Sequence, residues 1–355
     1  MKEDNIKKLI DFTLEVTNGC RYSCTGCSID KDGNSWPTDQ EFDNLSKLVD
    51  DLAANEFRPM NLQIGPTDIM TSVNRDLVLQ STEIKHLARK FLKTAINCAF
   101  LDPFNENYVR LGEQLNWLLA GGLVKFVVPF EAYHIDNREY VDRIRRRIAL
   151  TLKHMPDVTH TKTYLLINYE TSSIYDRENH TNITEELILK TYQSSVLDGL
   201  TADIILPHTR TDLRIEKNSR EFYEAVMKLK KYVAKARRRY GSAVDVAELL
   251  PHEGKDWDIF YKAGRLYMTP FLLEGLASFD QEYEVTGPWT FETLYNSYLN
   301  GFLQQLDWAS DNAHCKHCQL TAECAERGIH TLMKISGIDE CISPAKALED
   351  VIVWA

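Results

Sequence analysis

Apolar runs of strand length recur along the first 245 residues, and each is followed by a segment whose apolar positions have helical spacing. The apolar runs predict six β-strands, at 12–16, 60–64, 94–101, 124–129, 163–169 and 202–206. The intervening patterns predict six helices, at 38–54, 81–92, 108–119, 137–153, 183–197 and 219–240. Each connection is long enough for a right-handed crossover, so we expect one parallel sheet. Six such units, fewer than the eight of a closed α/β barrel, predict a partial (β/α)6 barrel with a wide carboxyl end.

Some predicted elements carry signals for helix ends. Thr38 is a candidate N-cap, with Glu41 three residues later as its capping-box partner. Two glycines at 121–122 are typical of a helix C-cap. Beyond residue 241 the periodicity changes, because 258–268 predicts a β-hairpin with a glycine turn and 290–308 predicts a further helix. We therefore predict two domains, 1–245 and 246–355.

The composition is that of an ordinary soluble globular protein, with 44% hydrophobic and 26% charged residues among 355. A net charge of −11 argues against nucleic acid as an obligatory partner, because phosphate binding depends on Lys and Arg. The basic runs at 143–147 and 235–239 fall in predicted helices and are interpreted as solvated faces. The charged N-terminus leads into no long apolar run, so we expect no membrane segment and a cytoplasmic location.

Eight cysteines are distributed unevenly along the chain. The early group is Cys20, Cys24 and Cys27, the late group is Cys315, Cys318, Cys324 and Cys341, and Cys98 stands alone. In a cytoplasmic protein such grouped thiols indicate a metal or redox site rather than structural disulfides. Cys98 is interpreted as a small buried hydrophobe, and a thiol that donates a hydrogen atom to a substrate radical is the alternative.

The early group has the spacing C-x3-C-x2-C just after the first predicted strand, where a short loop can turn three sulfurs toward one centre. A structural zinc site needs four protein ligands, whereas a cubane iron–sulfur cluster held by three cysteines leaves one iron open. The late group has four thiols, which suit a closed zinc site and a fully ligated cubane cluster equally well. His314 and His317 beside it are interpreted as surface residues rather than ligands.

Together the early triad, the strand–helix units, the hairpin and the cysteine-rich tail resemble the radical S-adenosylmethionine (SAM) enzymes, over nearly the whole chain. The tail is similar to their SPASM/twitch type of auxiliary-cluster domain. The resemblance implies that Cys20, Cys24 and Cys27 hold a [4Fe–4S] cluster whose open iron binds SAM. One electron from that cluster would cleave SAM to methionine and a 5′-deoxyadenosyl radical, which takes a hydrogen atom from the substrate. A flavodoxin- or ferredoxin-like electron donor is implied as well.

The resemblance also implies SAM contacts at the ends of later strands. The expected contacts are Gly65, Pro66, Thr67, Asp68, Arg138 and Asn168. The first four stand where the family carries a Gly-Gly-Glu-Pro turn that meets the SAM amino group, with Asp68 one position late for the acid. An ordinary strand–helix turn capped by Asp68 is the alternative. Arg138 is expected to bind the SAM carboxylate through bidentate geometry.

The tail departs from the pattern of the family's two-cluster members, which carry C-x2-C-x5-C-x3-C and one later cysteine. Here Gly328 occupies the fourth position of that run, and the predicted hairpin has no cysteine. We therefore expect the late group to hold one auxiliary [4Fe–4S] cluster, fully ligated by protein, and the inner cluster to be absent. A fully ligated cluster cannot bind substrate through iron, which favours electron transfer or a structural role. The free inner-cluster space is expected to form part of the substrate pocket.

The expected function is that of a radical SAM oxidoreductase acting on a peptide or protein. A small-molecule dehydrogenase or cyclase of the same superfamily is one alternative. A non-catalytic iron–sulfur or zinc protein that binds a partner is another, and it predicts no cleavage of SAM after reduction. The triad begins at residue 20, so no peptide-binding module is expected before it.

Overall fold

The fold is given by a computed structural model, which describes residues 9–22, 32–120, 123–131, 138–155, 160–168, 201–205, 244–245, 257–270, 281–326, 328–336 and 341. The strands are β1 (Leu9–Glu15), β2 (Arg58–Gly65), β3 (Lys93–Asn97), β4 (Leu123–Glu131), β5 (His160–Asn168), β6 (Thr201–Ile205), β7 (Val244–Asp245), β8 (Trp257–Lys262) and β9 (Arg265–Pro270). The helices are α1 (Asp39–Ala54), α2 (Arg75–Gln80), α3 (Thr82–Ala88), α4 (Asn105–Leu118), α5 (Arg138–Lys153), α6 (Phe291–Asp311), α7 (Thr321–Glu326) and α8 (Ile329–Ser336).

These strands form one sheet in the order β7-β6-β5-β4-β3-β2-β1-β8-β9. Every neighbouring pair is parallel except β8 and β9, which form an antiparallel hairpin. The six predicted strands are all present and follow one another across the sheet, so the predicted parallel sheet is confirmed. The helices predicted at 183–197 and 219–240 and the glycine pair at 121–122 lie outside the described residues.

The two faces of the sheet differ in chemistry along β1. Phe12, Leu14 and Val16 are buried in the main apolar core, with at most 1% of each residue exposed. Thr13 and Glu15 alternate with them and are also buried. Successive side chains of a strand point to opposite faces, so one face of the sheet is apolar here and the other is polar. A buried polar face is suited to a polar ligand rather than to helix packing.

The predicted start of α1 is confirmed in detail. The Glu41 backbone N–H donates to Thr38 Oγ1 at 3.2 Å, and the Thr38 N–H donates to Glu41 Oε2 at 2.7 Å. These bonds satisfy two backbone donors that no helical carbonyl can reach. The helix predicted over 81–92 is shorter in the structure, where α3 follows its N-cap Ser81 and ends at Ala88. The short helix α2, which was not predicted, precedes it.

The hairpin assigned by sequence to the second domain pairs directly with the first strand. Phe12 lies opposite Ile259 and Glu15 opposite Lys262 in the parallel β1–β8 register. The start of α6 is also tied to α1, because the Phe291 N–H donates to Asp51 Oδ2 at 2.6 Å. Backbone hydrogen bonds therefore cross the boundary predicted near residue 245. Among the helices described, none combines the length and the apolar character that crossing a membrane requires.

Candidate active site at the carboxyl ends of the strands

The first cysteine of the early group lies five residues beyond the end of β1. Cys20 is half-buried and has a free thiol, whereas Cys24 and Cys27 lie outside the described residues. The chain leaving β1 is held against β2, because the N–H groups of Val16 and Thr17 both donate to the Gly65 carbonyl, at 2.8 and 3.0 Å. The triad therefore begins at the carboxyl end of the parallel strands, as predicted.

A pair of asparagines closes the base of the segment that carries the triad. Asn18 Nδ2 donates to the Asn34 carbonyl at 2.6 Å, and the Asn34 N–H donates back to Asn18 Oδ1 at 3.0 Å. Asn34 Nδ2 donates to the Thr17 carbonyl at 2.9 Å. Residues 18 and 34 are thus held side by side, on either side of the three cysteines. The sequence analysis did not identify this pair, since two isolated asparagines 16 positions apart carry no motif.

A glycine is required at the exit from this base. Gly19 has φ of +77°, and a Cβ at this position would lie 2.9 Å from Val73 Cγ1. Any other residue would meet backbone strain and a steric conflict together. The sharp turn directly before Cys20 therefore depends on this glycine.

Asp68, expected as the acid for the SAM amino group, is a buried brace between two loops. Its Oδ2 accepts the Ala99 N–H at 2.6 Å and its Oδ1 accepts the Thr71 N–H at 3.0 Å. Burial raises the pKa of Asp68 to about 6, against which these backbone donors act. These contacts agree better with the alternative, in which Asp68 caps the turn after the strand, than with a SAM contact. The carboxylate caps a turn here and not the start of a helix.

Two polar atoms of the same region, in contrast to the Asp68 carboxylate, are buried and have no hydrogen-bond partner in the described part of the chain. They are Oγ1 of Thr67 and Oδ1 of Asn97, at the carboxyl ends of β2 and β3. Asn97 Nδ2 donates to the Pro66 carbonyl at 2.8 Å, which directs the amide across the β2 turn. Buried polar atoms are nearly always hydrogen-bonded, so unpartnered oxygens here suit a ligand that donates hydrogen bonds. A ligand amino group has the required chemistry.

Asn97 was not among the site residues predicted from the sequence, although a polar residue at the end of an apolar strand could have indicated it. The prediction extended β3 to residue 101, but the strand ends at Asn97. The reason is local, because the Ala99 N–H is taken by Asp68 and Phe100 has φ of +54°. Cys98 therefore lies just after β3 and not within it.

Cys98 is fully buried in the main core, as its interpretation as a small hydrophobe predicts. Burial and the nearby Asp68 carboxylate raise the pKa of the thiol, which keeps it neutral. The pKa of the Tyr22 hydroxyl is raised in the same way, by burial first and then by the Asp68 carboxylate. Neither the thiol nor the phenol is activated as a nucleophile here.

The remaining expected SAM contacts are placed by the backbone alone. Asn168 is the last residue of β5 and lies opposite Glu131 in the β4–β5 register. Arg138 is the first residue of α5, which follows β4. Asn168 thus lies at the carboxyl end of the sheet, and the roles of both residues stay predictions.

The late cysteines lie around α6, α7 and α8. Cys315 and Cys324 are buried, Cys318 and Cys341 are half-buried, and none of the four described residues is part of a disulfide. Burial first, and then the thiols of Cys341 and Cys318, raise the pKa of Cys315. Among the described residues, no three His, Cys, Asp or Glu side chains are arranged to hold a single metal ion.

Hydrogen bonds around this group suit sulfur ligands. The Leu320 N–H donates to Cys318 Sγ at 3.4 Å, a contact that favours a thiolate. Thr321 Oγ1 lies 2.7 Å from the Cys315 carbonyl and 2.8 Å from the Cys318 carbonyl, which holds the C-x2-C turn together. His314 and His317 are exposed, which confirms their interpretation as surface residues. His330, which the sequence analysis did not consider, is buried beside Trp308.

Comparison with known proteins adds evidence on the fold. No protein-family model matches the chain, and no curated protein matches it. Solved structures do match, among them native anSMEcpe with bound AdoMet and Cp18Cys peptide, at 13% identity and a TM-score of 0.52, covering 89% of this chain and 88% of that chain. Hexahistidine-tagged anSMEcpe with bound AdoMet matches at 13% identity and a TM-score of 0.52, covering 96% of this chain and 98% of that one. At such low identity the likeness shows a shared fold.

Proposed function

We propose that this protein is a radical SAM enzyme, with Cys20, Cys24 and Cys27 as the ligands of a [4Fe–4S] cluster that leaves one iron open. The observation that carries the proposal is the position of Cys20, at the carboxyl end of β1 in a fold shared with the AdoMet-bound anSMEcpe structures. When bound, the cluster and SAM would supply the electron and the 5′-deoxyadenosyl radical that removes a hydrogen atom from the substrate.

The chain's own residues would orient SAM from the ends of β2 and β3. Thr67 Oγ1 and Asn97 Oδ1 are buried acceptors without partners in the described part of the chain, so they suit the SAM amino group. Asp68 holds the two loops that carry them in place and is not itself free to reorient. Arg138 and Asn168 complete the proposed contacts, Arg138 at the SAM carboxylate.

The late cysteines would hold one auxiliary [4Fe–4S] cluster through Cys315, Cys318, Cys324 and Cys341. Support comes from the packing of Cys315 and Cys324 in one small core and from the Leu320 N–H that donates to Cys318 Sγ. In a cubane each cysteine binds a different iron, so the thiols need not converge on one ion. A partial barrel followed by a SPASM/twitch-like unit is the architecture that this proposal assumes.

A peptide or protein is the proposed substrate. Support comes from the native anSMEcpe structures, which contain the Cp18Cys and Kp18Cys peptides and match over 89% of this chain. The buried polar face of β1 is compatible with a peptide backbone, whose amides and carbonyls need hydrogen-bond partners. A flavodoxin- or ferredoxin-like protein would supply the electron.

The proposal is tested by SAM cleavage. After anaerobic reconstitution with iron and sulfide, we expect the protein to convert SAM to 5′-deoxyadenosine when dithionite is added, and Cys24→Ala to abolish this product. Cys98→Ala is the matched control, because that thiol lies in the apolar core and should leave the product intact. If Cys24→Ala made as much 5′-deoxyadenosine as the parent, a non-catalytic metal protein would be the better description.

A further inference from the structure

Gln305 on α6 is a buried amide beside the late cysteines. Only 3% of the residue is exposed, and its Oε1 accepts the Thr331 N–H at 3.1 Å. The His330 imidazole, on the residue before Thr331, is also buried. The side chain of Gln305 thus joins α6 to the first turn of α8 through its amide oxygen.

The other end of this amide has no partner. Gln305 Nε2 is buried and makes no hydrogen bond within the described residues, although it carries two N–H donors. Leaving a buried donor unpaired is unfavourable, so an unpaired donor of this kind indicates an acceptor that belongs to the site. The acceptor must lie within reach of an amide whose oxygen is already held by the Thr331 N–H.

The surroundings of Gln305 identify that acceptor. Ala309 follows Gln305 by one helical turn on the same face of α6, and it packs with Cys315, Cys324 and Met333 in one small core. Met333 lies one turn beyond His330 on α8, and Trp308 contacts both that core and the His330 ring. A residue one turn from Gln305 on α6 and a residue one turn from His330 on α8 thus both pack in the core that contains Cys315 and Cys324.

We propose that Gln305 Nε2 donates a hydrogen bond to a sulfur of the centre held by the late cysteines. Sulfur is the acceptor that this core offers in quantity, and it carries more negative charge when the centre is reduced. An N–H aimed at sulfur stabilises the reduced state more than the oxidised state and raises the reduction potential. Gln305 is thus a positioning residue that sets the potential of the auxiliary cluster.

The test isolates that cluster in the full-length chain. Replacing Cys20, Cys24 and Cys27 by alanine leaves the four late cysteines and the buried Cys98, and about four irons and four sulfides per chain are expected. In this background we expect Gln305→Met to lower the ratio of reduced to oxidised cluster at a fixed potential about tenfold. For one electron this corresponds to a reduction potential that is lower by about 59 mV. Gln304→Met, the same change at the exposed neighbouring residue, should leave the potential unaltered.

A second variant, Gln305→Glu, keeps the inference testable if Gln305→Met does not retain the cluster. Gln305→Glu keeps the length and the oxygen that accepts the Thr331 N–H, removes the donor, and should lower the potential further because it adds negative charge. If both variants titrated at the parent potential, the inference would be wrong, and a purely structural role would show only as a lower melting temperature. The inference rests on the proposed function, but the two would fail in different measurements. If the triple-alanine background contained zinc or no iron, the auxiliary cluster itself would be wrong, whatever the role of Gln305.

Discussion

Asp68 and Thr67 are adjacent residues with opposite hydrogen-bonding states. Asp68 accepts backbone N–H groups on both carboxylate oxygens, whereas the hydroxyl of Thr67 has no partner within the described residues. The bonds to Asp68 hold two loops together, and the unpaired buried oxygen of Thr67 is available to a ligand. Asp68, which the resemblance selects for its charge, thus has a structural role in the loops, and its role as a SAM contact stays a prediction.

The buried carboxylate of Asp68 should make folding pH-dependent. Its pKa is raised from 3.8 to about 6 by burial, so the folded protein binds the proton more tightly than the unfolded chain does. This contribution to stability is complete below pH 3.8 and is lost as the pH rises to about 6. We expect the parent to lose about 3 kcal/mol of unfolding free energy more than Asp68→Asn over this range. Urea titrations across the range measure the difference, and parallel curves would contradict the assignment.

The hydroxyl of Thr67 should matter for SAM and not for folding. Thr67→Val keeps the shape and removes a buried oxygen that has no partner in the described part of the chain, so the melting temperature should stay the same or rise. The affinity for SAM should fall about tenfold, the effect of one hydrogen bond of about 1.4 kcal/mol. Equilibrium dialysis of the reconstituted protein with SAM measures the affinity. Thr94→Val, at the amino end of β3, is the control, and equal affinities in both variants would refute the role.

At the scale of elements, the exit from β1 is the best-defined part of the site. Val16 and Thr17 are bonded to Gly65, Asn18 is bonded to Asn34, and Gly19 forms the turn before Cys20. These contacts position the two ends of the cysteine segment before any cluster binds. Ligands positioned in advance bind a metal centre at a lower entropic cost than ligands that must first be ordered.

Opening this base should release the early cluster selectively. Asn18→Ala removes both side-chain bonds to Asn34 and should lower the iron content from about eight to about four per chain, because the late cysteines are untouched. Iron and sulfide analysis after anaerobic reconstitution measures the loss. Asn55→Ala, at the exposed end of α1, is the matched control and should retain the parent content. Retention of about eight irons in Asn18→Ala would show that the base is dispensable.

At the scale of the whole molecule, the two predicted domains share one sheet. The β8–β9 hairpin extends the parallel strands beside β1, and α6 begins on α1. A second unit attached in this way is held by backbone hydrogen bonds as well as by a linker. The late cysteines follow α6 directly, so the position of the tail site depends on the main sheet.

Much of the fold could be predicted from local patterns. Apolar periodicity predicted the six parallel strands, and Thr38 with Glu41 predicted the start of α1, because these signals depend on residues a few positions apart. The pairing of β8 with β1 could not be predicted, since the two strands are more than 240 residues apart and neither carries a mark of its partner.

The sequence by itself determined the chemistry on offer, namely three thiols after the first strand and four in the tail. Spacing is sufficient for this within the early triad, because cysteines three or four positions apart cannot lie far from one another. Only the tertiary structure decided which polar atoms remain available, since Asp68 is engaged by Ala99, which is 31 positions away, while Thr67 and Asn97 keep acceptors unpaired in the described residues. Whether a buried group has a partner depends on contacts between distant segments, which no local pattern encodes.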